Sequence, residues 1–211
     1  MRVPTDAFDG VIGAPDPAAT SRAAHESAAA LLHRVRRGVD ADVVERLIAY
    51  TDREGLEEVA QMWSAAPARS LPGALWRLYA IRAAVRADPA GTAWRYERAV
   101  SLEAVPASGK ALAGSVHGAL AGAPPLAGPD EMTDLIDQIM RGVFTGDFEI
   151  ALERAASFAW MLSRGAIDDA VGAEGMNESR AEFETRRAAR LLEYSEDLHA
   201  SARLWARGAL D

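Results

Sequence analysis

"SLPGALWRLYAIRAAVRADPAGTAWRYERA", residues 70–99, decides the fold class. Ser70 ahead of Leu71 and Pro72 is a helix start: its hydroxyl can accept from a free amide of the first turn, and the proline stands where no amide is needed. Asp88-Pro89 repeats that punctuation, so one helix is expected over 71–87 and a second over 89–103. Wound at about 100° per residue, Leu71, Ala74, Leu78, Ile81 and Val85 fall on one core-facing stripe. Trp76, Ala80 and Ala83 form a second apolar strip well round from it. A helix with two apolar strips meets neighbours on two sides, which places it centrally. Tyr79, Arg82 and Arg86 make a third strip that sets two guanidinium groups beside a phenol ring. Those cations need carboxylates, either the chain's own or a partner's.

The same punctuation continues along the chain. Helices are expected at 17–37, 41–54, 56–66, 71–87, 89–103, 108–121, 130–144, 147–164 and 177–207. Asp16-Pro17, Asp40 and Asp147 cap three further starts, and Gly38, Gly55 and Gly165 stand where left-handed C-terminal residues belong. No alternating run of β-branched residues is bounded by turn chemistry, so no strand is expected. The class is all-α, a nonrepetitive bundle of about nine helices. "MTDLIDQIMRGVFTGDFEIALERAASFAWML" (132–162) reads as one tetratricopeptide-like hairpin, with small residues at Ala151, Ala155, Ala156 and Ala159 where partners would touch. No second copy follows at a fixed period, so a solenoid is not expected. Residues 1–15 read as an extended arm and 16–211 as a single helical domain. The Pro- and Gly-rich "AGAPPLAGPD" at 121–130 is a boundary between sublayers.

Composition narrows the function classes. The 211 residues are 49% hydrophobic and 26% charged, a globular balance. Cysteine is absent, which removes disulfides, thiolate metal sites and a cysteine nucleophile. The start "MRVPTDAFDGVIGAPDPAA" is broken by Pro4, Asp6, Asp9, Pro15 and Asp16 and does not read as a secretory leader. No stretch approaches the roughly 18 apolar residues of a membrane span, so a cytoplasmic protein is expected. A net charge of −8 opposes general binding to nucleic acid.

That charge is uneven. Residues 69–98 hold six arginines (69, 77, 82, 86, 95, 98) against Asp88 and Glu97, whereas 129–153 hold seven acids against Arg141 alone. Lysine occurs only at Lys110, so arginine abundance by itself says little. The simplest role for the island is structural: arginine stems cover apolar surface while the heads pair with neighbouring acids. Asp130, Asp134 and Asp137 likewise lie opposite Met132, Leu135, Ile136, Ile139 and Val143, as a solvated face should.

Catalytic motifs are sparse in the sequence. Glu196 and His199 are the lone Glu-x-x-His pair, and a dimetal bundle needs two such pairs with two further glutamates. His25 and His33 lack a third ligand, and His117 has no motif around it. "ASGKALAGS" has Ala104 and Ala111 where a phosphate loop needs glycine and a hydroxyl. No catalytic residue, metal ligand or cofactor is expected.

The reading that follows is a nonenzymatic protein-interaction or regulatory protein. Its candidate contacts are Tyr79, Arg82, Arg86, Trp94 and Arg98 on the basic side and Asp130, Asp134 and Asp137 on the acidic side. The partner would be another protein or a second copy. The alternative is a small-molecule binder or enzyme with an apolar pocket between helices, lined by some of Trp63, Trp76, Trp94, Trp160 and Trp205.

The words "SLPGALWRLY" (70–79), "RGVFTGDFEIALERAASFAWMLSRGA" (141–166), "PTDAFDG" (4–10) and "SARLWARGALD" (201–211) resemble an uncharacterised family of actinobacterial proteins of similar length. Its members are often labelled DNA-directed RNA polymerase subunit beta. The resemblance covers nearly the whole chain and implies a single all-α domain in an actinobacterial cytoplasm. It carries no site residue. "DAFDG" holds Asp6 and Asp9 but not the three close aspartates that bind magnesium in the largest polymerase subunit.

Overall fold

The computed structural model describes residues 17–33, 56–104 and 128–211. These contain seven helices and no strand: α1 Pro17–His33, α2 Leu56–Ser64, α3 Leu71–Ala87, α4 Pro89–Ala104, α5 Pro129–Met140, α6 Phe148–Ala173 and α7 Glu178–Ala206. The class is all-α. The expected helices at 41–54 and 108–121, the caps Asp16 and Asp40, the glycines Gly38 and Gly55, and the N-terminal arm lie outside the described residues. Among the described residues, no helix is long and apolar enough to cross a membrane.

Local chemistry sets the helix starts. Ser70 Oγ accepts from Gly73 N at 3.3 Å, Asp147 Oδ1 from Glu149 N at 2.9 Å, and Asp88 Oδ1 from Gly91 N at 2.9 Å. Asp88 also takes the Arg95 guanidinium at 3.1 Å through its second oxygen. The Gly91 amide first, and Arg95 after it, hold the Asp88 carboxyl below the usual carboxylate range. Only the ionised cap accepts both bonds, so its stabilisation is complete above the unfolded-chain pKa and is lost as pH falls through the lowered folded value. Asp88→Ala should therefore cost about 1 kcal/mol at neutral pH. Thermal melts of the two proteins should converge at about pH 2.

α6 and α7 form the frame. Buried residues recur along α6 at Phe148, Leu152, Ala155, Ala159, Leu162, Ala166, Asp169 and Ala173, and along α7 at Glu184, Ala188, Leu191, Ser195, Leu198 and Ala202. Alternate spacings of four and three mark a coiled-coil seam on each. The two helices pack antiparallel along most of their lengths. Small seam residues let the backbones come close, and Ser163 Oγ on α6 donates to the Ala188 carbonyl of α7 at 2.8 Å. Phe148 and Trp205 meet edge to face, centroids 5.0 Å apart, toward the open end of the hairpin.

The sequence placed the end of α6 too early. Gly165 is an interior residue of α6, and a Cβ built there would lie 2.1 Å from the Arg95 carbonyl oxygen of α4. It marks a close helix crossing. The left-handed residue that follows α6 is Gly175, at φ +74°.

α3 touches every other described helix. Leu71, Ala74, Leu78, Ile81 and Val85 are all buried in one continuous core with Trp63 of α2, Ile136 and Ile139 of α5, and Phe158 of α6. Trp63 is fully buried, and its indole donates to Ser27 of α1 at 3.0 Å. α5 packs on both α3 and α6.

Candidate functional site

Each of the six arginines between 69 and 98 ends on a carboxylate of the same chain. Asp197 of α7 accepts from Arg77 Nε at 3.1 Å and Nη2 at 2.7 Å, and from Arg69 Nε at 3.3 Å. The third Arg77 bond goes to the Gly73 carbonyl at 3.1 Å, and its guanidinium lies over the Tyr194 ring at 5.5 Å. Arg82 and Arg86 share Asp137 of α5; Arg86 Nη2 reaches it at 2.7 Å, and Arg82 Nε donates to the other oxygen. Arg95 lies among Asp88, Glu184 and Asp169 at 3.1, 3.2 and 3.5 Å. Arg98 grips Asp168 with both Nε and Nη2, which pushes its pKa up.

The Tyr79, Arg82 and Arg86 strip thus faces a carboxylate within the chain, one of the seven acids of 129–153. The remaining partners on α6 and α7 stand too far along the sequence for helical spacing to assign them. Arg77 and Asp197 are both nearly buried. Such a pair holds register between helices, because either member alone would be an uncompensated internal charge. Burial raises the Tyr79 pKa, with Glu57 adding to it and Arg82 opposing. Asp130 and Asp134 are exposed.

What those pairs leave open is a groove of about 500 Å³ between α3 and α7. Its α3 wall is the second apolar strip, Trp76, Ala80 and Ala83, joined by Tyr79 and Ala84. Trp76 and Tyr79 stack at 5.8 Å with 27° between their planes. The α7 wall carries Phe183, Leu191 and Tyr194 with Arg186, Arg187 and Arg190. Phe183 is 52% exposed, a large apolar side chain left in water, with Arg187 over its ring at 4.7 Å.

The arginines of this wall are less committed than those of the island. Arg187 pairs with Glu184 at 2.8 Å. Arg186 reaches only Glu182 on the adjacent turn, both well exposed. Arg190 has no carboxylate partner among the described residues.

Of the five tryptophans, Trp76 lines the α3–α7 groove, and Trp160 is half-buried on α6 outside its lining. Trp94, 48% exposed, lines a second cavity of about 460 Å³ beside the Arg98–Asp168 pair, Arg180 and Met176. Trp63 is core, and Trp205 packs on Phe148. Of the Glu-x-x-His pair, His199 Nδ1 meets Glu153 of α6 at 2.8 Å while Glu196 is exposed. Among the described residues, no three histidines or acids lie close enough to hold an ion. The His33 side chain and His117 lie outside the described residues.

The α7 wall is not evident from the sequence because charge of both signs runs along 178–207 and does not by itself separate a packed face from a free one. The seam at 184, 188, 191, 195, 198 and 202 was the available signal. Once that face is assigned to α6, Phe183, Arg186 and Arg190 are left outside it. No protein-family model matches the chain, nor does any curated protein or solved structure.

Proposed function

We propose that the protein is a nonenzymatic helical interaction protein that docks a partner in the groove between α3 and α7. One observation carries the reading: an aromatic, alanine-floored groove stays open between two helices, bordered by an arginine rim in which Arg190 has no carboxylate partner among the described residues. An exposed large apolar side chain beside unspent cations is the usual composition of a recognition surface. Tyr79 belongs to this surface. Trp94 and Arg98 at the second cavity, and the exposed Asp130 and Asp134, are secondary contact candidates, whereas Arg82, Arg86 and Asp137 are committed to one another.

A small-molecule binder is the second reading, favoured by a groove volume within the roughly 300–1,000 Å³ typical of ligand sites. Both readings fit a cytoplasmic, single-domain bundle of about nine helices, including the sequence-expected 41–54 and 108–121 and the hairpin over 132–162.

Anilinonaphthalene sulfonate, an aromatic anion, tests whether the groove is a site. Saturable fluorescence enhancement is expected, with most of it lost in Ala83→Trp, which fills the floor without touching the main core. Arg190→Glu should weaken binding about ten-fold, equivalent to ~1.4 kcal/mol. Unchanged enhancement in a folded Ala83→Trp protein would remove the groove from consideration.

A further inference from the structure

We propose that the element seated in this groove is an acidic amphipathic helix of a partner protein; the inference rests on the docking reading above. The α3 wall runs from Trp76 to Ala84, about 12 Å, and the α7 wall from Phe183 to Tyr194, about 16 Å, or two to three helical turns. Over that length a helix presents apolar side chains at i, i+3 or i+4, and i+7 from a single face. Ala80, Ala83 and Ala84 let another backbone approach closely, and the aromatic rings at the ends offer edges for larger anchors.

The walls also select against an extended peptide. A strand needs backbone partners along its length, and both walls are helices whose interior amides and carbonyls are already bonded within the helix. A helical ligand arrives with its own backbone satisfied. The groove is a half-open trough, so a drug-sized molecule would keep much of its surface in water, whereas small-ligand pockets bury most of it.

Charge decides the flank of the incoming helix. All the arginines of the groove stand on the α7 wall, and the α3 wall contributes none. Arg190, exposed and without a carboxylate partner among the described residues, is available to an anion, and Arg186 can exchange its exposed Glu182 at little cost. Carboxylates beside the apolar stripe of the ligand would meet both. Because the chain carries a net charge of −8, an acidic helix is repelled over most of the surface and steered to this rim, which fixes both site and orientation.

Selection of a displayed library of random peptides, about 16 residues long to cover the walls with a turn to spare, tests the occupant with the full-length protein as bait. Enriched sequences should carry three apolar residues at helical spacing flanked by Asp or Glu. As synthetic peptides they should lose at least about ten-fold in affinity against Arg190→Glu and against Ala83→Trp. A Glu→Lys change in the peptide should restore binding to Arg190→Glu. Melting curves confirm that each variant is folded, and Arg190, being exposed, keeps the test valid if Ala83→Trp does not fold.

Enrichment of basic or proline-interrupted peptides, or of binders indifferent to both variants, overturns the proposal. Failure of every peptide alongside variant-sensitive binding of anilinonaphthalene sulfonate means a small-molecule groove: the helix is wrong and the site stands. Loss of both signals removes the site itself.

Discussion

Asp197→Ala should lower the unfolding free energy by about 3–5 kcal/mol. The carboxylate carries three guanidinium bonds, two from the nearly buried Arg77 and one from the largely exposed Arg69. Removing it leaves Arg77 inside the bundle with one bond to the Gly73 carbonyl and a ring face as its remaining partners. The mirror substitution, Arg77→Met, should cost less, because Asp197 keeps Arg69 and methionine retains apolar volume against Tyr194. Changing both at once, Arg77→Met with Asp197→Leu, should recover much of the loss, since an apolar pair carries no desolvation penalty. Urea unfolding followed by circular dichroism gives all three values. A single-variant loss for Asp197→Ala below about 1 kcal/mol, the range of an exposed pair, would show that Arg77 finds water and that the pair does not hold α3 to α7.

The same residues mark what the sequence could show. Ser70, Asp88 and Asp147 were legible because a cap acts over three residues, and all three side chains accept the amides expected of them. The core stripe of α3 was legible because helical winding alone places Leu71 beside Leu78. Arg77 looked like one more member of an arginine-rich run, and nothing local separates it from the exposed Arg86. Its partner lies 120 positions away. Asp137 could be guessed as a member of an acidic region, whereas Asp168, Asp169, Glu184 and Asp197 required the turn of α6 into α7.

The groove lay further out of reach. Its α3 strip is visible in the sequence, where it reads as packed on a second neighbour; α7 does stand opposite it, but across an open trough. Which neighbour, and that an open trough separates the two, depends on the antiparallel seam that leaves Phe183 and Arg190 outside the α6 contact. Gly165 was misread for a related reason: a glycine that ends a helix and a glycine that admits another backbone look alike until the second backbone is placed.

That distinction supports the other large effect. In α6, Gly165→Ala and Gly172→Ala should change stability in opposite directions. Alanine is the better helix former by about 1 kcal/mol in a helix interior, so propensity alone makes both substitutions favourable. At Gly172 nothing lies within 4 Å of the new Cβ, and the change should stabilise by about 0.5 kcal/mol, reduced because the residue is near the helix end. At Gly165 the new carbon would stand 2.1 Å from the Arg95 oxygen and 2.7 Å from its carbonyl carbon. Backbone cannot swing aside as a side-chain tip can, so α4 must move as a body. Overpacking of this kind costs about 1–3 kcal/mol. The shift would also draw the Arg95 guanidinium from Asp169, which it meets across the same crossing, and from Glu184 of α7. A net loss near 3 kcal/mol corresponds to a fall in Tm of roughly 6–12 °C for a chain of this size. Matched thermal melts provide the comparison, with Gly172→Ala as the internal reference for propensity. If the two variants melt together, α4 and α6 do not cross at Gly165; if Gly165→Ala alone collapses, the residue is glycine because of the backbone it faces.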